Sequence, residues 1–364
     1  MDYKSLSDIC SYVNERIATN DINLNQYIST ENMIPNKGGV TKSKKLPNGK
    51  TTKAYKKGDI LISNIRPYFR KIWHATQEGG CSGDILVVRA KQGVNSRFLY
   101  YLLSSDNFFE FDNATSKGTK MPRGDKKAIM QYRIPDLSPE NEQKVASILG
   151  SLDKRIILNE KINHHLFNIA RSIWIKKFYN KSPNGKLKNI IDLFDSKRIP
   201  LSNKQRDSMD KIYPYYGATS IMDYVDQYLF EGIYLLLGED GTVINKSGFP
   251  ILQYVWGKFW ANNHAHILKG KNGFNVESLY LLLSTTNISS IVTGAVQLKI
   301  NQTNLKSIDI YIPPKQELED IKTVITPIFE KIRNLDDENK DLSKIRDILL
   351  PQLITGKMPV KRET

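Results

Sequence analysis

The chain has 364 residues, enough for two domains that each build a core, and carries 53 Lys and Arg against 38 Asp and Glu, a formal charge of +15. With 40% hydrophobic and 10% aromatic residues it cannot be a disordered basic tail, and a folded protein with this field is expected to attract a polyanion, nucleic acid before anionic membrane. The start lacks the basic and apolar segments of a secretory signal and no apolar run of about 18 residues occurs, so a soluble cytoplasmic protein is expected. Cys10 and Cys81 are too few and too far apart for a zinc cluster and are expected as unpaired thiols.

In chain order, the first notable segment is Asn36 to Asp59, where Lys42, Lys44, Lys45, Lys50 and Lys53 gather in a Gly- and Asn-rich stretch. It predicts a hairpin or mobile loop suited to phosphates. "GDILISNIRPYFRKIW" follows, a β-branched strand leading into Asn64, Arg66, Pro67 and Tyr68. Amino-methylating DNA enzymes set an Asn or Asp before Pro-Pro-aromatic, but here three residues separate Asn64 from Tyr68 and Arg66 stands in place of a proline. No strand with a Gly-rich turn for S-adenosylmethionine lies nearby. Arg66, Tyr68 and Arg70 are instead expected as exposed residues near DNA.

"FLYYLLSSDN" (Phe98 to Asn107) returns as "SLYLLLSTTN" (Ser278 to Asn287), and "YRIPDLSPENEQ" around Pro135 returns as "IYIPPKQELED" around Pro313. The chain is therefore a tandem of two mixed domains, each followed by a long helix. The loops just before the returning Ile-Pro strands correspond as well: "TSKGTKMPRGDKK" offers Lys120 and Arg123, and "TGAVQLKINQTN" offers Gln297, Lys299 and Asn301. Arg and Lys can reach guanine, and Gln or Asn adenine.

Ser138 as N-cap and Pro139 at the first helical position open the first long helix. Its seven-residue series is Val145, Leu152, Asn159, Leu166 and Ile173, accompanied by Ile148, Ile162 and Ile169. The second helix repeats it with Ile321, Ile328, Leu335, Leu342 and Leu349, flanked by Ile325, Ile332 and Ile345. These seams predict an antiparallel coiled-coil pair; the alternative is that each helix packs on its own domain. Pro327 predicts a kink or a late start of the second helix.

Between the helix and the second domain, "NKSPNGK" reads as a linker. The second domain carries the runs "GIYLLLGEDG" and "FPILQYVWGKFWANNHAHIL". His264 and His266 alternate on an expected strand without an evident carboxylate partner, so a structural or DNA-proximal role is favoured over a metal. Glu239 and Asp240 lack the lysine that a nuclease core sets beyond its Glu. Residues 1 to 138 hold 22 Lys and Arg against 13 Asp and Glu, whereas 184 to 314 hold 13 against 11, so the first domain carries more of the field.

Several stretches together carry a resemblance: "GDILISNIRPYFRKI", "GTKMPRGDKKAIMQYRIP", "ENEQKVASILGSLDKRIILNEKIN", "YPYYGATSIMDYVDQYLFEG", "YLLLGEDG", "GKFWANNHAHIL" and "LLPQLITGK". Along essentially its whole length the chain resembles the specificity subunits of type I restriction-modification systems. The resemblance implies an α+β (α/β mixed) fold with two target recognition domains, at 1–137 and 184–314, separated by helices at 138–183 and 315–364. It also implies that the chain is not itself an enzyme and that each domain reads one half of a bipartite double-stranded DNA site. Two modification subunits would carry S-adenosylmethionine, restriction subunits ATP and Mg, and this chain no cofactor or metal of its own. Tyr215 and Tyr216, in "YPYYG", join the candidate DNA contacts. The rival readings are a self-sufficient nuclease or methyltransferase, for which no catalytic cluster is evident, and a protein-binding scaffold, against which the charge argues.

Overall fold

A computed structural model describes residues 2–294 and 297–358, and the chain divides into two units. The first takes the residues up to Ile157 together with those from Asn339 on; the second is Leu158–Glu338.

In the first unit a four-stranded antiparallel sheet has the order Cys10–Tyr12, Ile85–Ala90, Ile60–Ser63, Ile72–His74. Alternate residues leave opposite faces of a strand. Ile60, Ile62, Leu86 and Val88 enter a core with the helix Ser96–Leu103, while Leu61, Ile85 and Val87 enter another with Tyr55, Met33 and Cys81. Burial on both faces is why "ILIS" and "ILVV" are continuous apolar runs. Asn95 caps the helix, its side chain accepting from the backbone N–H groups of Arg97 and Phe98. Both cysteines are buried and free, and burial pushes each thiol up to about 12.

The second unit repeats this sheet as Ile191–Leu193, Ala265–Gly270, Tyr234–Gly238, Leu252–Val255, again antiparallel throughout. Leu235, Leu237 and Leu268 face the helix Val276–Ser284, which Asn275 caps; Leu236 and Ile267 face the other way. In both units a two-stranded ladder closes the domain: Tyr3–Ser5 with Arg133–Pro135, and Gly185–Lys186 with Asp309–Ile310.

The second sheets share three strands and differ in the fourth. Gly79–Cys81 runs antiparallel to Thr51–Tyr55 and parallel to Tyr27–Ile28, as Lys258–Ala261 does to Phe230–Glu231 and Tyr213–Tyr216. The first unit adds Arg16–Ala18 beside Thr51–Tyr55; the second adds Ile221–Val225 beside Tyr213–Tyr216, at the opposite edge.

The long helices are Pro139–Phe178 and Lys315–Ile354. The Ser138 hydroxyl accepts the backbone N–H of Asn141, the expected cap. In the first unit Val145, Ala146 and Leu149 share a core with Leu350, Leu353 and Ile354, and Arg346 donates to Asp153 at 3.0 Å. In the second, Ala170, Trp174 and Phe178 share a core with Leu318, Ile321, Ile325 and Phe329. Asn163 donates to the Ile332 carbonyl and Lys177 to that of Glu317, so the segments run antiparallel.

Val145, Asn159, Ile321 and Leu335 are buried, and Leu152, Leu166, Ile173, Ile328, Leu342 and Leu349 half-buried. Pairing and packing on the domain occur together, because the same cores take in residues of both long helices and of the sheets. Two flanking residues depart from expectation: Ile169 and Ile345 are exposed. Near Ile169, Ala170 occupies the buried position, as the 3.6-residue period drifts from a strict heptad.

Pro327 does not delay the helix, which begins at Lys315. Both Pro327 and Thr323, whose carbonyl loses its donor, lie exposed, where water can serve instead. Among the described residues, no helix is long and apolar enough to cross a membrane.

Candidate nucleic-acid interface

The corresponding loops noted in the sequence are held by the same backbone hydrogen bonds. In the first unit Lys117 and Arg123 exchange N–H and C=O bonds at 2.8 and 2.9 Å, closing a seven-residue hairpin. Gly124 donates to the Asn64 carbonyl, Arg66 to that of Pro122, and Asn64 to that of Asp84. In the second unit Thr293 and Lys299 exchange bonds at 2.8 and 2.7 Å, Ile300 donates to Glu239, Gly241 to Leu298, and Glu239 to His264. Each hairpin thus rests on the end of a central strand and on one neighbouring turn. Its first bend uses a left-handed glycine in both cases, Gly118 at φ 99° and Gly294 at φ 89°. Ala295 and Val296, inside the second hairpin, lie outside the described residues.

Lys120 and Arg123 are exposed on the first hairpin, Gln297 and Lys299 on the second. Arg123 reaches Asp84 at 3.1 Å and Lys299 lies 4.0 Å from Glu239. Asn301 has another task. Its side-chain oxygen accepts the Asn304 N–H at 2.7 Å and caps the helix Gln302–Ser307, as Asp125 caps Lys126–Met130.

Beside the first hairpin, Tyr68 and Phe69 are exposed with ring centroids 4.7 Å apart. Arg66 is half-buried, and Arg70 shares the Asp106 carboxylate with Lys37 at 2.9 and 2.8 Å. Of the hairpin or loop expected from Asn36, the segment up to Lys50 is the loop. Asn36 and Lys37 donate to the carbonyls of Phe69 and Arg70, and the irregular chain beyond is fastened at Asn32, Leu24 and Thr19. Lys42, Lys44, Lys45 and Lys50 are exposed. Lys53 is half-buried and donates to the Ile85 carbonyl at 2.6 Å, and burial lowers its pKa.

The two tyrosines of "YPYYG" belong to the sheet. Tyr215 is 2% exposed, with its hydroxyl accepting the Leu201 N–H and the Arg206 guanidinium 5.0 Å from its ring. Tyr216 is half-buried edge-on against Phe259, and burial pushes its phenol up to about 12. Both stand on a strand in the middle of its sheet, which their β-rich sequence favoured but did not reveal.

Sequence reasoning missed what supports the hairpins from beneath. His264 and His266 do have carboxylate partners: His264 Nδ1 lies 2.7 Å from Asp240, and His266 Nδ1 2.6 Å from Asp195. His266 is fully buried, and its Nε2 faces the Ile300 carbonyl at 2.8 Å. Both ring nitrogens face acceptor oxygens. Burial raises the Asp195 carboxyl, yet the hydrogen bond and charge of His266, with Arg198, hold it below its ordinary value. Arg198 donates to Glu239 at 2.7 Å and Gln302 to Asp195 at 2.7 Å. Asp195, Glu239 and His266 have the spacing of a metal site, but Arg198 already supplies a cation there. Under the first hairpin stands Asp112, raised to about 7 by burial. Its Oδ1 and the Asn64 Oδ1 are both buried and lie on the place a Gly124 side chain would occupy.

The family profile described as "Type I restriction modification DNA specificity domain" matches residues 1–167 and 183–345. The MjaIX specificity subunit of Methanocaldococcus jannaschii, a type I restriction enzyme component, is 28% identical over 74% of this chain and 71% of its own. A specificity subunit of Haemophilus influenzae is 34% identical over a shorter segment, 42% of this chain and 37% of that one. In fold, the chain is similar to the crystal structure of a type I restriction-modification S subunit from M. genitalium, with a TM-score of 0.54 at 16% identity, covering 99% of this chain and 96% of that one. With a profile match in each half, above two equivalent hairpin platforms, the chain belongs to the type I restriction-modification DNA specificity family.

Proposed function

We propose that this chain is the DNA-reading subunit of a type I restriction-modification complex, in which each unit reads one half of a bipartite double-stranded site through its hairpin platform. The observation that carries this reading is the recurrence of one set of backbone hydrogen bonds, strand end to hairpin to turn, in both units. The loop sequences they carry differ, Lys120 and Arg123 in one and Gln297 and Lys299 in the other. A constant frame with variable side chains suits two readers of different half-sites. The exposed lysines 42, 44, 45 and 50 add phosphate contacts that position without specifying. The paired helices set the distance between half-sites and dock two modification subunits, which carry S-adenosylmethionine; restriction subunits with ATP and Mg complete the assembly.

The test replaces residues 184–314 with the matching region of another family member and maps methylated adenines in cells carrying the modification partner. One half of the methylated sequence changes and the other stays. Loss of both halves in a folded hybrid contradicts the reading.

A further inference from the structure

The matched frames of the two units isolate one position where the backbone bonds agree and the residues differ. Arg66 has φ 52° and ψ 69°, the left-handed region that an L side chain disfavours. The position that makes the same hydrogen bond to the second hairpin is Gly241, at φ 80°. Glycine takes this conformation freely, so an arginine there is retained against the preference of its own backbone.

The surroundings say what it is retained for. The Arg66 N–H is tied to Pro122, inside the first hairpin, and its carbonyl accepts the Phe69 N–H, which fixes its Cα between hairpin and aromatic pair. Its Nε is buried and has no hydrogen-bond partner among the described residues. Lys37 and Arg70, also left-handed, direct their cations to Asp106, and Arg123 directs its own to Asp84. Arg66 is thus a half-buried arginine held by its backbone at the hairpin, and its side chain makes no hydrogen bond or ion pair among the described residues; with Nε buried, the part that could meet a ligand is the pair of terminal nitrogens. The acceptor pair that best matches its planar fork in a DNA groove is O6 and N7 of guanine.

We propose that Arg66 is a specificity-determining residue of the first unit, reading a guanine edge in that unit's half-site. This rests on the reading of the first hairpin as a DNA-facing platform.

The experiment compares the wild-type complex with Arg66→Gly and Arg66→Lys, all assembled with the modification subunits, by methylation mapping and by melting temperature. Arg66→Gly keeps or raises the melting temperature, because glycine suits the backbone, and relaxes one guanine position in one half-site. Discrimination there falls about 5- to 150-fold, while the other half-site is unchanged. Arg66→Lys keeps the charge, loses the fork and relaxes the same position. An unaltered methylation motif in Arg66→Gly, or uniform weakening at every site as loss of a phosphate contact would produce, overturns the proposal. So does a lowered melting temperature with an unaltered motif, since Arg66 would then serve the fold alone. A wild-type complex that methylates without sequence preference would instead remove the proposed function itself.

Discussion

Under the first hairpin lies a buried carboxyl raised to about 7, Asp112, and under the second lies an ion-pair network, Asp195, His266, Glu239 and Arg198. The backbone bonds above them are the same. The two units also add their fourth strand at opposite edges of the second sheet. What the duplication preserves is therefore the carrier of the loop; the chemistry beneath it and the edges of the sheets are free to diverge. Backbone groups must be paired wherever they are buried, whereas a buried side chain can be satisfied in several ways.

The largest break of this comparison is His266→Ala. It removes the ring between Asp195 and the Ile300 carbonyl and leaves a buried carboxylate short of a partner, at a cost of about 3–5 kcal/mol. Hydrogen exchange read by mass spectrometry should show the second unit opening more readily with the first unchanged. Equal loosening of both units would mean that they do not respond separately.

pH separates the units in opposite directions. Asp112 titrates higher in the folded state than unfolded, so its contribution is full below the ordinary carboxylate range and is lost as pH rises toward 7. Over that interval the first unit should lose on the order of 4 kcal/mol. Asp195 titrates lower when folded, so its contribution is present above the ordinary range and is lost as pH falls through its folded value. Asp112→Asn should flatten the first unit's decline between about pH 4 and 7, measured as denaturant midpoints at several pH values. A variant with the wild-type profile would rule out Asp112 as its source.

Smaller effects sharpen the frame itself. A Cβ on Gly124 would meet Asp112 Oδ1 at 2.3 Å and Asn64 Oδ1 at 3.1 Å, so Gly124→Ala should cost about 1–3 kcal/mol, read from urea midpoints. The equivalent residue is Ile300, so bulk is excluded by the carboxylate beneath the first hairpin, not by the frame. In Asp112→Ala the penalty should largely vanish. Smallest is Gly241→Ala: nothing lies within 4 Å of the added atom, leaving only the left-handed backbone, about 1–2 kcal/mol. A larger loss of stability in thermal melts would point to a contact that the second unit makes and the first does not.

The repeat, the strands around Leu61 and Leu236, the Ser138 start and the two helix seams were legible in the residues alone. Each is a local matter, decided by alternation along a strand or by side chains three and four residues apart. The correspondence of the two loops was legible too, since it needed only the repeat. Local pattern could not show that Tyr215 is core while Arg66 is half-buried beside the hairpin, or that Lys53 donates to Ile85, 32 residues on. Nor could it pair His266 with Asp195, 71 residues earlier, or relate Arg66 to Gly241. Partners that distant meet only when the chain returns along its sheets, and a polar side chain between several possible partners takes the one that the packed backbone places within reach.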